Sequence, residues 1–559
     1  MNIKEQIANS ISYNFNQLNV DIENLIIESI SADKGDYSLP CFSFAKILKE
    51  NPMNIANKIA ETVNIGGIVE KCEVVAGYVN FFLNKAFVAK EILSSFNEST
   101  FKFEEGNGQT VCIDYGSPNL AKYLHIGHLK TLIVGESLCR LFEQFGYAVK
   151  RLNFVGDYGT PFGKIIGGLK RWGSLEDVQA RGNDALQEYY VKFNAAEAEN
   201  PELSQEARDI FKKIEDKDPE IYPIYEFIIK IALDDANNMF NTLGVTFDDY
   251  NGEMFYNNDV PNAIKILDDK NLLIESQNAK IVDLEPFDLT PAVIIKSDGT
   301  TLYITRDIAA ALDRHKKYDF DKLLYVTDVA QKLHFSQLFK VVELMGNDFA
   351  KNMEHIAYGR FSLPDGKISS RRGKQAVLVD LMDYVLNKAK EIIKDRKFEI
   401  ENPEDVARKV VRAVLNYSVL KVERIKDCVF DIEQAFSFEG ETAPYMLYTF
   451  TRLESILRKN ETSNVKADYS CLNQEAFEII KAINDFESTL KVSLEKRDTS
   501  LVGKRVMDMC KMFNKFYTTT KVLDGKAETT QAKINLVKAL KETLSVGFKI
   551  LCIDTLREM

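Results

Sequence analysis

Apolar and polar positions follow two alternating periods in the central part of the chain. Short apolar runs predict strands in TVCIDYG, from Thr110, and in AVKRLNFVG, from Ala148. The segment LKTLIVGESLCRLFEQFG between them, from Leu129, has the apolar spacing of a helix. Strand, helix and strand in this order predict a βαβ unit. Open α/β sheets bind ligands beyond the carboxyl ends of their strands, so the residues that follow the first strand are candidates for a site.

The same alternation resumes after a long insertion at roughly 164–250. PAVIIKSDGTTLYIT (291–305) has a turn between two apolar runs, and RDIAAALDRHKKY (306–318) has the spacing of a helix. LLYVTDVA (323–330) then predicts a strand, and HFSQLFKVVELMG (334–346) predicts a second helix. An Asp-Gly pair between apolar runs is typical of a β-hairpin. Two βαβ halves predict one doubly wound sheet.

The two ends of the chain have other patterns. The N-terminal part has a helical start and the strand-like run YVNFFL, at Tyr78–Leu83, and EEGNGQ at Glu104–Gln109 is a linker candidate. From about residue 376, helical periodicity dominates. We predict an α/β protein with a Rossmann-like doubly wound parallel sheet, an N-terminal α+β domain and a C-terminal all-α helical bundle. The predicted bounds are 1–107 for the first domain, 108–375 for the sheet domain, 376–439 for connecting helices and 440–559 for the helical domain.

Composition agrees with several cytoplasmic domains. The chain has 559 residues, of which 45% are hydrophobic, more than one core accommodates. It contains no run of about 18 apolar residues, and its N-terminus lacks a basic segment followed by an apolar one, so we expect neither a membrane span nor a secretory signal. The eight cysteines are scattered, with no CxxC spacing, and are expected to be buried free thiols.

The net charge of −12 argues against a general polyanion binder. The charge is uneven, because residues 491–559 carry a net +6 and the remainder −18. This asymmetry permits a nucleic-acid-binding end on an acidic body. An ordinary helical surface with scattered charges would explain it equally well.

Candidate chemistry begins with SPNLAKYLHIGHLKT, at Ser117–Thr131. His125 and His128 flank Gly127 where a loop enters the predicted helix. Glycine allows close approach of a ligand, and a helix N-terminus offers unpaired N–H groups to phosphate. Two imidazoles there can stabilise charge on phosphate oxygens. The alternatives are packing or capping histidines, or half of a metal site.

A second candidate is GKISSRRGK, at Gly366–Lys374, which follows the last predicted strand. Its flanking glycines and its cations would suit a loop that grips a triphosphate. A solvated basic loop is the alternative for this segment taken alone.

Together these two segments resemble the HIGH and KMSKS signatures of class I aminoacyl-tRNA synthetases, in the same order. Ser-Pro-Asn and a lysine ahead of HIGH resemble the arginyl-tRNA synthetase form. So do NFVGDYGTPFG (153–163), LYITRDIAAALDRHKKY (302–318) and ETAPYMLYTFTRL (441–453), and the resemblance covers essentially the whole chain. One departure is Ser370, which stands where KMSKS has its second lysine. In such members the lysine ahead of HIGH, here Lys122, is thought to supply the charge.

The resemblance implies that the protein activates L-arginine with ATP and transfers it to the 3′-terminal adenosine of tRNA(Arg), releasing AMP and pyrophosphate. Mg²⁺ would accompany ATP, and the sequence has no dedicated protein cage for it. The expected partners are tRNA(Arg), L-arginine and ATP, with no membrane, and the expected state is a monomer in the cytoplasm. The N-terminal domain would bind tRNA and the helical end its anticodon.

The resemblance also assigns roles to residues. The catalytic set is His125, His128, Lys122 and Lys367; the ATP set is Gly127, Ser369, Arg371 and His334; the arginine set is Asn119, Glu253, Tyr303, Asp307 and Gln331; the tRNA set is Tyr78, Asn80, Tyr445, Tyr448 and Arg452; no metal ligand is assigned. A guanidinium is best met by paired acceptors, and residues four apart on a helix can face one pocket. Surface carboxylates, capping amides and core tyrosines are the commoner roles for such residues taken singly.

Two other classes of function fit part of the pattern. A nucleotidyltransferase acting on a small molecule would share both signatures but would not need the helical C-terminal domain. An RNA-binding relative without catalysis would keep that domain and lose site residues.

Overall fold

The computed structural model describes residues 1–13, 22–29, 34–97, 99–364, 377–394, 402–461 and 465–556. The second signature segment, with Lys367, Ser369, Ser370 and Arg371, therefore lies outside the described residues. Within the described ranges, no helix has the length and apolar character needed to span a membrane.

The chain contains thirteen strands and twenty-three α-helices within the described residues. The strands are β1 (Ile27–Glu28), β2 (Tyr37–Pro40), β3 (Val69–Val75), β4 (Tyr78–Leu83), β5 (Thr110–Asp114), β6 (Ala148–Leu152), β7 (Leu273–Ser276), β8 (Ala279–Val282), β9 (Ala292–Ile295), β10 (Lys322–Asp328), β11 (Met353–Tyr358), β12 (Phe361–Ser362) and β13 (Cys428–Val429). The helices are α1 (Ile3–Asn9), α2 (Ile22–Leu25), α3 (Phe42–Leu48), α4 (Pro52–Ala60), α5 (Lys85–Ser95), α6 (His128–Gln144), α7 (Thr160–Trp172), α8 (Leu175–Arg181), α9 (Asn183–Glu199), α10 (Glu202–Glu215), α11 (Tyr222–Leu243), α12 (Glu253–Asn257), α13 (Val260–Asp269), α14 (Tyr303–Tyr318), α15 (Lys332–Leu344), α16 (Leu378–Lys394), α17 (Pro403–Leu420), α18 (Ile432–Ala435), α19 (Ala443–Arg458), α20 (Gln474–Asn484), α21 (Phe486–Lys496), α22 (Ser500–Thr519) and α23 (Ala527–Ile550).

These elements form two compact units. One unit comprises Met1–Thr100, Thr449–Glu487 and Asp508–Leu544, and the other comprises Phe101–Tyr448, Ser488–Met507 and Ser545–Met559. The four domain bounds proposed from the sequence stay a prediction.

The first unit contains a four-stranded antiparallel sheet in the order β1-β2-β4-β3. Its strand β4 has the bounds of the predicted run YVNFFL. Val79, Phe81 and Leu83 are buried because alternate residues of a strand share one face, and that face supplies the core of the sheet. Helices α5 and α20 pack together in this unit, where Lys85 donates a hydrogen bond to Gln474.

The second unit contains the predicted parallel sheet, with four strands in the order β6-β5-β10-β11. All three pairings are parallel, with Ile113 opposite both Arg151 of β6 and Leu324 of β10. The chain winds outward from β5 on one side and from β10 on the other, so the strand order reverses between these two strands. The predicted α/β fold class with its doubly wound sheet is confirmed.

Helix α6 joins β5 to β6 and is buried along most of its length. Its apolar residues point in nearly every direction, as expected for a helix enclosed by the protein. The Thr131 hydroxyl donates to the Val326 carbonyl at 2.8 Å and accepts from the Gly116 N–H at 3.1 Å. Thr131 therefore ties the start of α6 to the carboxyl ends of β5 and β10.

The prediction of a hairpin around the Asp-Gly turn is wrong for its second strand. Strand β9 precedes the turn and pairs with β8 in a separate antiparallel sheet of order β7-β8-β9. After the turn a single bridge joins Ile295 to Thr301, and α14 begins at Tyr303. A short apolar run does not distinguish a strand from the start of a buried helix, which explains the error.

The insertion between the two halves of the sheet is helical, from α7 to α11. Beyond residue 376 the described chain is also mainly helical, but β13 pairs in parallel with β12 through Phe361 and Cys428. A two-residue strand is too short to leave a periodic pattern, so this pairing could not be predicted from the sequence.

Candidate active site

A cavity of about 970 Å³ lies at the carboxyl ends of β5 and β10. Residues of the first signature line it, together with residues of the predicted arginine and ATP sets. The sequence-predicted residues in its wall are His125, Gly127, His128, Tyr303, Asp307, Gln331 and His334. The cavity therefore joins the first signature to the beginning of α14, at the point of the sheet where ligands are expected.

The chain turns away from the sheet immediately after β5. Gly116 and Ser117 have positive φ angles of 91° and 45°, a conformation that residues other than glycine adopt at a cost. The Asn153 side-chain oxygen accepts a hydrogen bond from the Ser117 N–H at 3.0 Å and holds the turn. This turn opens the cavity and directs the chain towards the histidine pair.

Gly127 has a steric reason to be glycine. Its N–H donates to Nδ1 of His125 at 3.0 Å, so the imidazole folds back over the glycine. A Cβ atom at position 127 would lie 2.7 Å from Cε1 of His125, closer than such atoms approach. The centroids of the two imidazoles are 4.0 Å apart, and His128 is the first residue of α6. The glycine thus lets both rings gather at a helix N-terminus.

Both histidines are neutral near pH 7. Burial lowers the pKa of His125, and burial together with the neighbouring His125 lowers the pKa of His128 to about 4. A neutral imidazole at this place can donate an N–H to an oxyanion. Within the described parts of the chain, no three His, Cys, Asp or Glu side chains are grouped to hold a metal ion.

Asp307 lies one helical turn after Tyr303, as the sequence predicted. Its Oδ2 is 2.8 Å from Nε2 of His334, which α15 contributes. Tyr303 is 66% exposed. The hydrogen bond orients the Asp307 carboxylate and leaves its other oxygen for a second donor. It also puts His334 beside a residue of the predicted arginine set; the placement of His334 next to ATP stays a prediction.

Glu253 is the first residue of α12 and contacts Arg306, which is part of the cavity wall. Its Oε2 lies 3.0 Å from Nη2 of Arg306, which lines the cavity while Glu253 does not. Burial raises the pKa of Glu253 to about 7, and Arg306 opposes that rise. Asp157 accepts from the Met254 N–H at 2.8 Å and so fixes the start of α12. Burial raises the pKa of Asp157 to about 6.

Asn119 and Lys122 lie outside the cavity wall. Asn119 pairs with Gly156 through its backbone, and its side-chain oxygen accepts from the Ala121 N–H at 3.0 Å. Lys122 is exposed. Their predicted contacts with arginine and ATP stay predictions.

Comparisons with known proteins point to one family. The family model described as tRNA synthetases class I (R), catalytic domain, matches residues 89–432. The chain belongs to the arginyl-tRNA synthetase family. Models of the arginyl-tRNA synthetase N-terminal domain and of the DALR anticodon binding domain match residues 1–83 and 446–559. The resemblance drawn from the motifs is thereby confirmed, and this family consists of aminoacyl-tRNA ligases, which use ATP as a substrate.

Relatives and solved structures cover the whole arginyl-tRNA synthetase chain. Arginine–tRNA ligase of Halothermothrix orenii is 39% identical, with 100% of each chain covered, and that of Clostridioides difficile is 37% identical, with 98% of each covered. The arginyl-tRNA synthetase structure of Thermus thermophilus has a TM-score of 0.80 at 21% identity and covers 100% of this chain and 99% of its own. The Plasmodium falciparum structure has a TM-score of 0.78 at 21% identity, with 100% and 98% covered. These two likenesses establish the shared fold.

Several residues in or near the cavity were not predicted from the sequence. Arg306 stands between Tyr303 and Asp307, three residues after the tyrosine, so helical spacing alone could have placed it on their face. Asp114 and Arg314 form a buried ion pair at 2.7 Å, and burial raises the pKa of Asp114 while Arg314 opposes it. The available signal in the sequence was Arg314, a charged residue among the apolar positions of a predicted helix.

The N-terminal candidates for tRNA contact differ in exposure. Asn80 is 5% exposed, and its side-chain oxygen accepts a hydrogen bond from the Ser38 hydroxyl at 2.6 Å. This arrangement favours a structural role for Asn80. Tyr78 is half-buried and meets Phe42 edge-to-face, with ring centroids 5.2 Å apart.

The anticodon-domain candidates lie along α19. Tyr448 is 40% exposed, and Tyr445 is half-buried. Arg452 donates to Asn514 at 2.6 Å and lies 4.6 Å from the ring centroid of Tyr517. Existing protein partners favour a structural role for Arg452, whereas the exposure of Tyr448 suits a base-stacking surface.

Replacing Tyr448 with alanine is expected to weaken tRNA binding without unfolding the protein. Loss of one aromatic–base stack costs about 1–3 kcal/mol, whereas deletion of a buried aromatic side chain costs about 3–5 kcal/mol of stability. Filter binding of tRNA and thermal melting of the same variant separate the two effects. Tyr384→Ala removes a similarly exposed tyrosine, 46% exposed on α16, and is the matched control. A drop in melting temperature with unchanged tRNA affinity would contradict the stacking role.

Proposed function

We propose that the protein ligates L-arginine to tRNA(Arg) in two steps at the cavity by the carboxyl ends of β5 and β10. ATP first activates the arginine carboxylate, with pyrophosphate as the leaving group. A hydroxyl of the terminal tRNA adenosine then attacks the arginyl-adenylate and releases AMP. The observation that carries this proposal is one cavity with neutral imidazoles at one wall and the Asp307 carboxylate at another.

Arginine would be recognised by its planar cation. A guanidinium has five donors and is best met by carboxylates in fork geometry. The Asp307 carboxylate lines the cavity, and the Glu253 carboxylate stands behind Arg306 in the same region. Tyr303 and Gln331, which line the same cavity, complete the candidate set for the side chain and the amino-acid end, together with Asn119.

The histidine pair would serve the phosphates. A carboxylate is already a nucleophile, so activation needs no general base, and positioning with charge stabilisation carries the rate. Neutral His125 and His128 supply N–H donors at the N-terminus of α6, where the helix dipole also favours an anion. Their depressed pKa values make them donors of hydrogen bonds and poor proton sources.

Magnesium is part of the proposal through ATP. Mg²⁺ takes most of its ligands from phosphates and water and needs few protein oxygens. The described residues offer no group of three or more candidate ligands, and a metal that enters on the triphosphate requires none. When bound, it would neutralise part of the phosphate charge. We further propose that the protein acts as a monomer in the cytoplasm.

ATP–pyrophosphate exchange tests the proposed chemistry directly. Each of the twenty amino acids is offered to the full-length chain, with and without unfractionated tRNA. Arginine alone should support exchange. If a different amino acid supports exchange, the protein activates that amino acid and not arginine. If no amino acid supports exchange with or without tRNA, the proposed activation step is contradicted. For a nucleotidyltransferase that acts on a small molecule, added tRNA would leave the exchange rate unchanged.

Lys122→Ala is expected to lower kcat for adenylate formation and to leave arginine KM nearly unchanged. The reason is that Lys122 would supply the positive charge that is missing from the second signature, where Ser370 stands in place of a lysine. The double variant with Ser370→Lys should recover part of the rate. Pre-steady-state adenylate formation measures both. A Lys122→Ala enzyme with normal kcat would remove this residue from phosphate handling.

A further inference from the structure

Glu253 already has a guanidinium partner within the protein. Arg306 is 6% exposed, and its Nη2 lies 3.0 Å from Oε2 of Glu253. The guanidinium carbon is 4.8 Å from the ring centroid of Tyr158 and 5.3 Å from that of Tyr303. A carboxylate and aromatic rings are the groups that recognise a guanidinium, so Arg306 uses the same chemistry as the proposed substrate.

We propose that Arg306 is a positioning residue for arginine recognition, because its guanidinium holds the Glu253 carboxylate in place and opposes its protonation. This inference rests on the proposed function, in which Glu253 takes part in binding the substrate guanidinium. Arg306 acts through Glu253 and would itself make no bond to the reacting atoms.

The charges around Glu253 explain why a cation is needed there. Asp157, in the loop after β6, and Asp307, on α14, both face Glu253 and disfavour its ionisation, as burial does. Tyr158, in the same loop as Asp157, donates its hydroxyl proton to Glu215 at 2.5 Å and so brings no cation. Among the described groups acting on Glu253, Arg306 supplies the opposing positive charge.

Arg306 is poorly explained as a purely structural residue. Its Nε atom is buried and has no hydrogen-bond partner among the described residues. An unpartnered buried donor costs free energy, and an apolar residue could fill the same space without that cost. Retention of the cation is therefore better explained by the state of Glu253.

The direction of the pH effect follows from these charges. Burial raises the pKa of Glu253 to about 7, and the Arg306 cation restrains that rise. With the cation removed, burial and the two acids act unopposed and the pKa rises further. At pH 7 a larger fraction of Glu253 is then protonated than in the wild type, so arginine affinity falls further at low pH and recovers only at a higher pH.

Calorimetric titration of arginine into the full-length chain between pH 6.0 and 8.5 tests the inference. The measured quantity is the ratio of each variant's Kd to that of the wild type at the same pH, which cancels ionisation of arginine itself. For Arg306→Gln the ratio at pH 6 should be about tenfold for each unit by which the pKa of Glu253 rises, and it should fall towards one as the pH increases past the raised pKa. Arg306→Lys keeps the charge and should follow the wild type. Arg181→Gln removes an exposed arginine that pairs with Asp177 and Glu188 and is the matched control.

The outcomes separate the inference from the function it rests on. A ratio for Arg306→Gln that is the same at every pH, or equal to one throughout, overturns the inference. If Arg306→Gln does not fold, Glu253→Gln decides, because wild-type affinity should fall about tenfold between pH 8 and 6 while this variant is flat. Wild-type affinity in Glu253→Gln at every pH would instead remove Glu253 from arginine binding, and the exchange assay would still report whether arginine is activated.

Discussion

His128→Ala lowers kcat for arginyl-adenylate formation by about 10²–10³-fold and changes arginine KM little. Removal of one donor aimed at a developing oxyanion has an effect of this size. His128 is the better target of the pair, because it begins α6 and its pKa is lowered to about 4. Single-turnover adenylate formation measures the loss.

The pH profile provides the control for this prediction. Since His128 stays neutral down to about pH 4, wild-type kcat should show no rise near pH 6.5 that depends on this ring. His128→Asn keeps a side-chain N–H and should recover part of the lost rate. An equal loss in His128→Asn and His128→Ala would assign His128 to packing, as would a melting temperature that falls in both.

Asp307→Asn raises arginine KM by about ten- to a hundredfold and leaves ATP KM nearly unchanged. A hydrogen bond to a charged group contributes about 1.5–3 kcal/mol, and each 1.4 kcal/mol is a factor of ten. The amide keeps the shape and loses the charge, and His334 can still hydrogen-bond to its oxygen. Steady-state exchange kinetics at saturating ATP measure the change.

Asp313→Asn on the same helix is the matched control, because Asp313 lies outside the cavity wall. It should show wild-type arginine KM. If Asp307→Asn also has wild-type KM, Asp307 does not bind the guanidinium. If ATP KM rises in parallel, the loss reflects disorder of the cavity and not a lost arginine contact.

The parts of the fold that the sequence predicted are those with long, regular patterns. β4 was predicted with the bounds it has, because its apolar residues form one short run that coincides with the strand. α6 was predicted from its apolar spacing, although the helix begins one residue earlier, at His128. The start of α14 was missed because the run before Arg306 has the composition of a strand, and tertiary contacts decide between the two. Thr305 donates to the Ile294 carbonyl at 3.1 Å and anchors that helix start against β9.

The candidate site was predictable where function depends on consecutive residues. His125, Gly127 and His128 stand together in the sequence at a strand–helix junction, and the cavity contains all three. The pairing of Arg306 with Glu253 was missed because the two residues are more than fifty positions apart in the chain. No local pattern reports such a pair. The burial of Asn80 was equally unpredictable, because it depends on pairing between β2 and β4.

Charging of tRNA is the most direct test of the proposed function. The full-length chain is incubated with ATP, Mg²⁺ and unfractionated tRNA, and each of the twenty amino acids is supplied separately in labelled form. Label should be retained on acid-precipitable tRNA with arginine alone, at a plateau equal to the content of arginine-accepting tRNA. Charging with a different amino acid, or no charging by a folded chain that still binds ATP, would contradict the assignment of the cavity to arginine and tRNA.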